Sequence, residues 1–179
     1  MNFQVLNREV LFEGRIFNVE RVEARLPDGR QNNYDLVDHR GSITVIPFDQ
    51  DGNVWFVRQY RLGALKVLLE LPAGVIEKDE LPEDCAHREI REETGLAAET
   101  LKLLGQMYLA PGYSTELMYV YLATGLSPNP LRADADEFLQ TTAIPVEQIY
   151  DMVRNDEIND SKSLAALLLA QPYLMTKHE

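Results

Sequence analysis

Three glutamates, Glu89, Glu92 and Glu93, lie within the short run Arg88-Glu89-Ile90-Arg91-Glu92-Glu93. On a helix turning about 100° per residue they share an arc of roughly 100°. The same side carries Cys85, Ala86 and Ile90, whereas Asp84, His87, Arg91 and Thr94 fall opposite. The glutamates therefore occupy the face that should pack on the rest of the protein. Charges in an apolar setting either neutralise or find cations. Most Glu-rich helices are simply solvated, and Arg88 can form an ordinary ion pair with Glu92. The remaining pair calls for another partner, and a hard divalent cation held by oxygen is the natural one. The three histidines of the chain are too few and too scattered to favour zinc.

The elements that must position these residues can be read around them. A helix is expected from about Pro82 to Thr94, with proline in its first turn, Glu83 and Asp84 at its positive end and Gly95 at its stop. Before it, an apolar stretch from Leu65 to Leu71 ends at Pro72-Ala73-Gly74. Ile43 to Phe48 and Val54 to Tyr60 flank Asp51-Gly52, a hairpin signal. Val19, Val22, Ala24 and Leu26 alternate imperfectly with charged residues, then Pro27-Asp28-Gly29 supplies a turn and Asn33 to Asp38 a second strand. Arg40-Gly41 is the candidate junction, dividing a β-strand extension over 1–40 from a main domain over 41–179. After the helix come strands at Leu101 to Leu109, Leu117 to Ala123 and Phe138 to Ile144, and a helix from Val146. The last helix starts near Asp160-Ser161 and carries Leu164, Leu167 and Leu168 at helical spacing. Strands interrupted by few helices indicate a mixed α/β (α+β) fold rather than a doubly wound sheet.

Composition bounds the partners. The 179 residues, 45% hydrophobic, suit one domain with at most a small appendage. With 29 acidic against 17 basic residues the net charge is −12, so nucleic acid and anionic membrane surfaces are unfavourable partners. An anionic substrate would then need a cation between two negative partners. The single cysteine, Cys85, excludes an intrachain disulfide and a CxxC site. Met1 to Val10 is too polar for a signal peptide, and the longest apolar run, Leu164 to Ala170, is too short to span a bilayer. A soluble, cytoplasmic protein is expected.

The stretch Gly74 to Leu96, GVIEKDELPEDCAHREIREETGL, resembles the Nudix box at every fixed position: Gly74, Glu80, Arg88-Glu89-Ile90, Glu92-Glu93 and Gly95-Leu96. The resemblance implies a mixed sheet sandwiched by helices, with the box as loop, helix and loop. It implies Mg²⁺- or Mn²⁺-dependent hydrolysis of nucleoside diphosphates linked to another moiety. In similar enzymes Glu89 and Glu93 are the principal metal ligands, Glu92 assists, Ala73 ligates through its carbonyl and Arg88 orients the glutamates. Glu80, which precedes the helix, is expected to support rather than ligate.

Features outside the box resemble the ADP-ribose pyrophosphatase branch. Pro111 lies in Ala-Pro-Gly-Tyr-Ser-Thr-Glu, 15 residues beyond Leu96. Val57-Arg58-Gln59-Tyr60-Arg61 followed by Leu69-Glu70-Leu71-Pro72-Ala73-Gly74 matches the same branch, as does the final helix. The resemblance assigns Arg61 to the pyrophosphate, Glu116 to the terminal ribose and the N-terminal strands to a homodimer. Phe17 or Tyr34 is available to stack on a base, although strand packing is the simpler use for both. Relatives commonly carry two acidic residues, one apart, in a loop before Phe138-Leu139, the first acting as general base. Here Ala135 stands at that first position and Glu137 at the second. The base is assigned to Glu137, with a neighbouring aspartate or a box glutamate as rivals. The expected reaction is cleavage of ADP-ribose to AMP and ribose 5-phosphate. The alternatives are a broader nucleoside-diphosphate-sugar hydrolase accepting GDP-mannose, and a non-catalytic ADP-ribose sensor.

Overall fold

The structure, a computed structural model, describes residues 2–132 and 138–175. The chain divides into two compact units, Met1–Gly41 with Met107–Met118, and Ser42–Gln106 with Tyr119–Glu179.

The first unit is built on three antiparallel strands in the order β1 (Gln4–Glu13), β2 (Phe17–Arg25), β3 (Gln31–His39). Strands β2 and β3 pair without slippage from Phe17↔His39 to Arg25↔Gln31. Their turn needs Gly29, whose φ of +89° lies in the left-handed region that costs glycine nothing. Segment 107–118 folds onto β3. Val37 donates its N–H to the Tyr113 carbonyl (2.7 Å) and accepts from Thr115 (3.0 Å), while Thr115 Oγ1 takes the His39 N–H (2.8 Å). Strand β1 is not apparent as a strand in the sequence, and the reason is physical. It is exposed along nearly its whole length, so no apolar alternation marks it. Phe17 and Tyr34, paired opposite His39 and Val22, are 42% and 37% exposed.

The second unit carries β4 (Ser42–Pro47), β5 (Asn53–Arg61), β6 (Lys66–Glu70), β7 (Ala73–Val75), α1 (Pro82–Thr94), β8 (Leu96–Ala97) and all but two residues each of β9 (Thr100–Tyr108) and β10 (Leu117–Thr124). It continues with β11 (Ser127–Pro128), β12 (Gln140–Pro145), α2 (Val146–Arg154) and α3 (Ser161–Leu174). The strands form sheets of order β7-β4-β10-β9, β12-β5-β6 and β11-β8. The result is a mixed α/β fold with three helices. The Asp51-Gly52 turn forms, with Gly52 at φ +82°, but its flanking strands do not make a hairpin ladder. They join different sheets, and the pairing beside the turn is a Phe48↔Val54 bridge with the Asp49 N–H donating to the Asn53 carbonyl. The Asp49 carboxylate gathers the turn, accepting from the backbone N–H groups of Asp51 and Asn53 and from Trp55 Nε1. Two apolar strands around an Asp-Gly turn thus read alike whether they pair with each other or with others.

Helix α1 packs its Cys85, Ala86 and Ile90 on Ile43 and Val45 of β4, Ile76, and Tyr121 and Ala123 of β10. Full burial of a side chain such as Ile90 stabilises by about 1.5–3 kcal/mol. In α3 the buried side is Lys162, Ser163, Ala166, Leu167, Ala170 and Leu174, whereas Leu168 is 69% exposed. Of the three leucines expected on the apolar stripe, Leu167 is buried and Leu164 half-buried, and Leu168 alone turns outward. No helix among the described residues is long and apolar enough to cross a membrane.

Candidate active site

Helix α1 begins without a side-chain cap at Leu81. Its start is set by Pro82 and by Glu83 and Asp84 in the first turn. Its stop is Gly95, at φ +76°, whose N–H donates to the Arg91 carbonyl at 3.1 Å. Between these limits Glu89 and Glu93 are buried together with the apolar residues, and Glu92 is half-buried beside them. The outer side of α1 is tied down separately, as Arg91 donates to the backbone and side-chain oxygens of Asn129.

Strand β7 brings the Ala73-Gly74 backbone against this face. It is held on β4 by the pairs Ile43↔Gly74 and Thr44↔Ala73, and Thr44 Oγ1 and the Val45 N–H both donate to the Pro72 carbonyl. Glu93 Oε2 accepts the Ala73 N–H at 3.0 Å. Gly74 has no side chain because Glu89 fills that space: a Cβ there would lie 1.8 Å from Glu89 Oε1.

Arg88 joins the carboxylates. Its Nε and Nη2 make a fork on Glu80, each at 2.9 Å, while Nη1 donates to Glu89 at 2.6 Å and to Glu92 at 3.0 Å. The hydrogen bonds from Arg88 hold the Glu80 carboxyl below the usual carboxylate range, against a smaller opposing effect of burial. Those to Glu80 push the guanidinium up in turn. Burial pushes the Cys85 thiol far up, so it is no thiolate. Glu80, outside the helix, thereby fixes the arginine that spans Glu89 and Glu92.

Three carboxylates thus surround one guanidinium and a fourth, Glu93, sits on the Ala73 N–H; every ligand atom these groups offer is an oxygen, a set suited to a hard divalent cation. The cradle at Gly74 places the Glu89 carboxylate directly on the backbone turn. Among the described residues no three His, Cys, Asp or Glu side chains gather closely enough to hold a metal as they stand. The reason is visible: Arg88 draws the Glu89 and Glu92 oxygens, and the Ala73 N–H draws Glu93.

Arg61, at the end of β5, donates to Glu70 through Nε (2.9 Å) and Nη2 (2.7 Å), and Glu70 is 1% exposed. Glu70 also accepts from the buried Lys162, which donates to Asp160 at 2.7 Å. Asp160 caps α3 by accepting the Ser163 N–H, and Ser163 Oγ accepts the Leu71 N–H at 2.8 Å. Glu70, Lys162 and Ser163 went unassigned in the sequence, although a lone glutamate inside Val67-Leu68-Leu69-Glu70-Leu71 is the signature of a buried charge with a partner. Pro111 and Glu116 belong to the first unit, where Ser114 Oγ accepts the Glu116 N–H. Ala135 and Glu137, with Asp134 and Asp136, lie outside the described residues.

A family model for the NUDIX domain matches residues 38–167. The chain belongs to the NUDIX family. NUDIX hydrolases generally use divalent metal ions. The chain is 36% identical over 172 residues to an ADP-ribose pyrophosphatase of Mycobacterium tuberculosis, covering 93% of this chain and 82% of that protein. It is 31% identical over 170 residues to an ADP-ribose pyrophosphatase of Bacillus subtilis, covering 94% and 92%. Among solved structures, an ADP compounds hydrolase superposes with a TM-score of 0.86 at 26% identity, covering 97% of this chain and 95% of that one.

Proposed function

We propose that this NUDIX protein hydrolyses the pyrophosphate bond of ADP-ribose, giving AMP and ribose 5-phosphate. Glu89, Glu92, Glu93 and the Ala73 carbonyl would hold the Mg²⁺ or Mn²⁺ that the reaction needs. One observation carries the reading: α1 turns its glutamates to the buried side, where Gly74 makes room for Glu89 and Arg88 spans Glu89 and Glu92. The choice of substrate is supported by the similarity to ADP-ribose pyrophosphatases over almost the whole chain.

When bound, the divalent ion neutralises phosphoryl oxygens and makes water more acidic. Arg61 binds the anionic bridge, and Arg88 fixes Glu89 and Glu92. By the same resemblance Glu116 is assigned to the terminal ribose, and Pro111 is counted among the substrate-binding residues. Glu137 accepts the proton of the attacking water as a new P–O bond forms and the bridging P–O bond breaks. The protein acts as a cytoplasmic homodimer joined through β1–β3. The non-catalytic alternative has little support, since every carboxylate of the box motif is present.

A phosphate-release assay coupled to a monoester phosphatase tests the reading against ADP-ribose, GDP-mannose, NADH, FAD and dinucleoside polyphosphates with Mg²⁺. The highest kcat/KM is expected for ADP-ribose. A clear preference for GDP-mannose would instead establish the broader sugar-nucleotide hydrolase, and no turnover of any would leave the sensor.

A further inference from the structure

Lys162 is an unusual residue in this fold. It is 7% exposed, on the buried side of α3, and its ammonium group joins Glu70 to Asp160. Glu70 and Asp160 bring two negative charges, and Lys162 and Arg61 bring two positive ones, so the cluster is balanced only with the lysine present. Arg61 is the most exposed member, with 41% of its side chain exposed against 16% for Asp160. Its Nε and Nη2 are committed to Glu70, which leaves Nη1 out of that pairing. The strand register explains the geometry: Glu70 stands opposite Val57, four residues before Arg61, so both side chains share one sheet face.

We propose that Lys162 is a positioning residue for Arg61, acting through Glu70. This rests on the reading in which Arg61 binds the anionic bridge of the substrate. Two carboxylates in a buried setting need two cations. With Lys162 present, Glu70 holds the arginine by one edge and leaves the other for phosphate oxygens. Without it, Arg61 is the only cation among the described residues left for Glu70 and Asp160, and its guanidinium is drawn inward. The consequence is weaker substrate binding. Turnover of bound substrate is spared, because Arg61 grips the bridge in ground state and transition state alike.

The test is steady-state kinetics at saturating Mg²⁺ with Lys162→Gln, Lys162→Arg, Arg61→Ala and the double variant Arg61→Ala/Lys162→Gln. Lys162→Gln is expected to raise KM about tenfold, the scale of one charge-assisted hydrogen bond, with kcat within about threefold of the parent. Lys162→Arg, which keeps the charge, should restore most of the affinity. In the Arg61→Ala background, Lys162→Gln should add no further rise. An unchanged KM with a lowered melting temperature or kcat would show a structural role alone and overturn the proposal. So would a KM rise that adds fully to that of Arg61→Ala. If Arg61→Ala itself leaves KM unchanged, the reading of Arg61 fails and the proposal fails with it, a different pattern from the first two. Should Lys162→Gln not fold, the uncharged pair Glu70→Gln/Lys162→Gln replaces it. A rise in KM is expected there too, because the neutral amide no longer holds Arg61 as the Glu70 carboxylate does, and its absence overturns the proposal.

Discussion

Gly74 and Glu89 are so close that the residue type of the first is dictated by the side chain of the second. A Cβ at position 74 would lie 1.8 Å from Glu89 Oε1 and 1.9 Å from its carboxyl carbon. These atoms end a flexible side chain, so Gly74→Ala should displace the carboxylate rather than unfold the chain. We expect the melting temperature to change by only a few degrees, roughly the effect of 1 kcal/mol, while kcat falls by about 10²-fold or more. Thermal melts beside turnover measurements check this. Near-parental activity would mean that Glu89 is not needed where it sits.

Glu93 accepts the Ala73 N–H and so links the helix to the turn whose carbonyl is proposed as a metal ligand. Glu93→Gln keeps the shape and a hydrogen-bond acceptor but removes the charge. Turnover should fall by roughly 10²-fold or more. EDTA should abolish activity in the parent, and Mg²⁺ or Mn²⁺ should restore it. Full activity in EDTA would rule out the metal reading.

Parts of this site were legible in the sequence for definite reasons. Glu89 and Glu93 fall on the apolar arc of α1, and helical geometry converts that spacing directly into burial. The role of Glu80 was only half visible, because its link to Arg88 depends on a loop, Glu77 to Glu80, closed by a hydrogen bond from the Glu77 N–H to Glu80. Lys162 was invisible as a functional residue. A lysine after a helix cap normally reads as solvated, and only the return of α3 against the end of β6 buries it. Pairing across sheets was equally hidden, as the Asp51-Gly52 turn shows by separating strands of different sheets.

Acid should destabilise the fold through Asp160 and Glu80. Burial alone would raise the Asp160 carboxyl, but Lys162 and Ser163 hold it below the ordinary aspartate value of 3.8. Arg88 chiefly holds Glu80 below 4.5. Groups depressed on folding contribute stability that is fully present above the unfolded pKa and lost as pH falls through the folded pKa. Melting temperature should therefore change little above about pH 5 from these groups and drop progressively below about pH 4. Asp160→Asn retains a good helix cap and removes the charge, so its melting curve should fall less steeply across that range. An unchanged acid dependence would contradict the assignment to Asp160.

The strands β1–β3 present Val5, Val10, Leu11, Phe12 and Phe17 as exposed apolar side chains. An exposed sheet edge with apolar residues seeks a partner, and the expected partner is a second copy. Light scattering at micromolar protein should give twice the chain mass, with Phe12→Lys shifting the population towards monomer. A monomer that persists at all concentrations would overturn the dimer.

The general base is expected in the sequence from Ala133 to Phe138, before β12. Glu137 is the only glutamate from Ala133 to Phe138, and Ala135 removes the other position at which relatives would place one. A base must reach the proton of the attacking water, and removing one typically costs about 10²–10⁴-fold. Glu137→Gln should therefore lower kcat by that order while KM changes little, since the group acts in the transition state. Asp136 is the rival. Parallel measurement of Glu137→Gln and Asp136→Asn at saturating Mg²⁺ separates them. If only Asp136→Asn loses turnover, the aspartate is the base. If neither does, the carboxylates of α1 must activate the water without help from that segment, and Glu92, the least buried of the three, becomes the residue to substitute next.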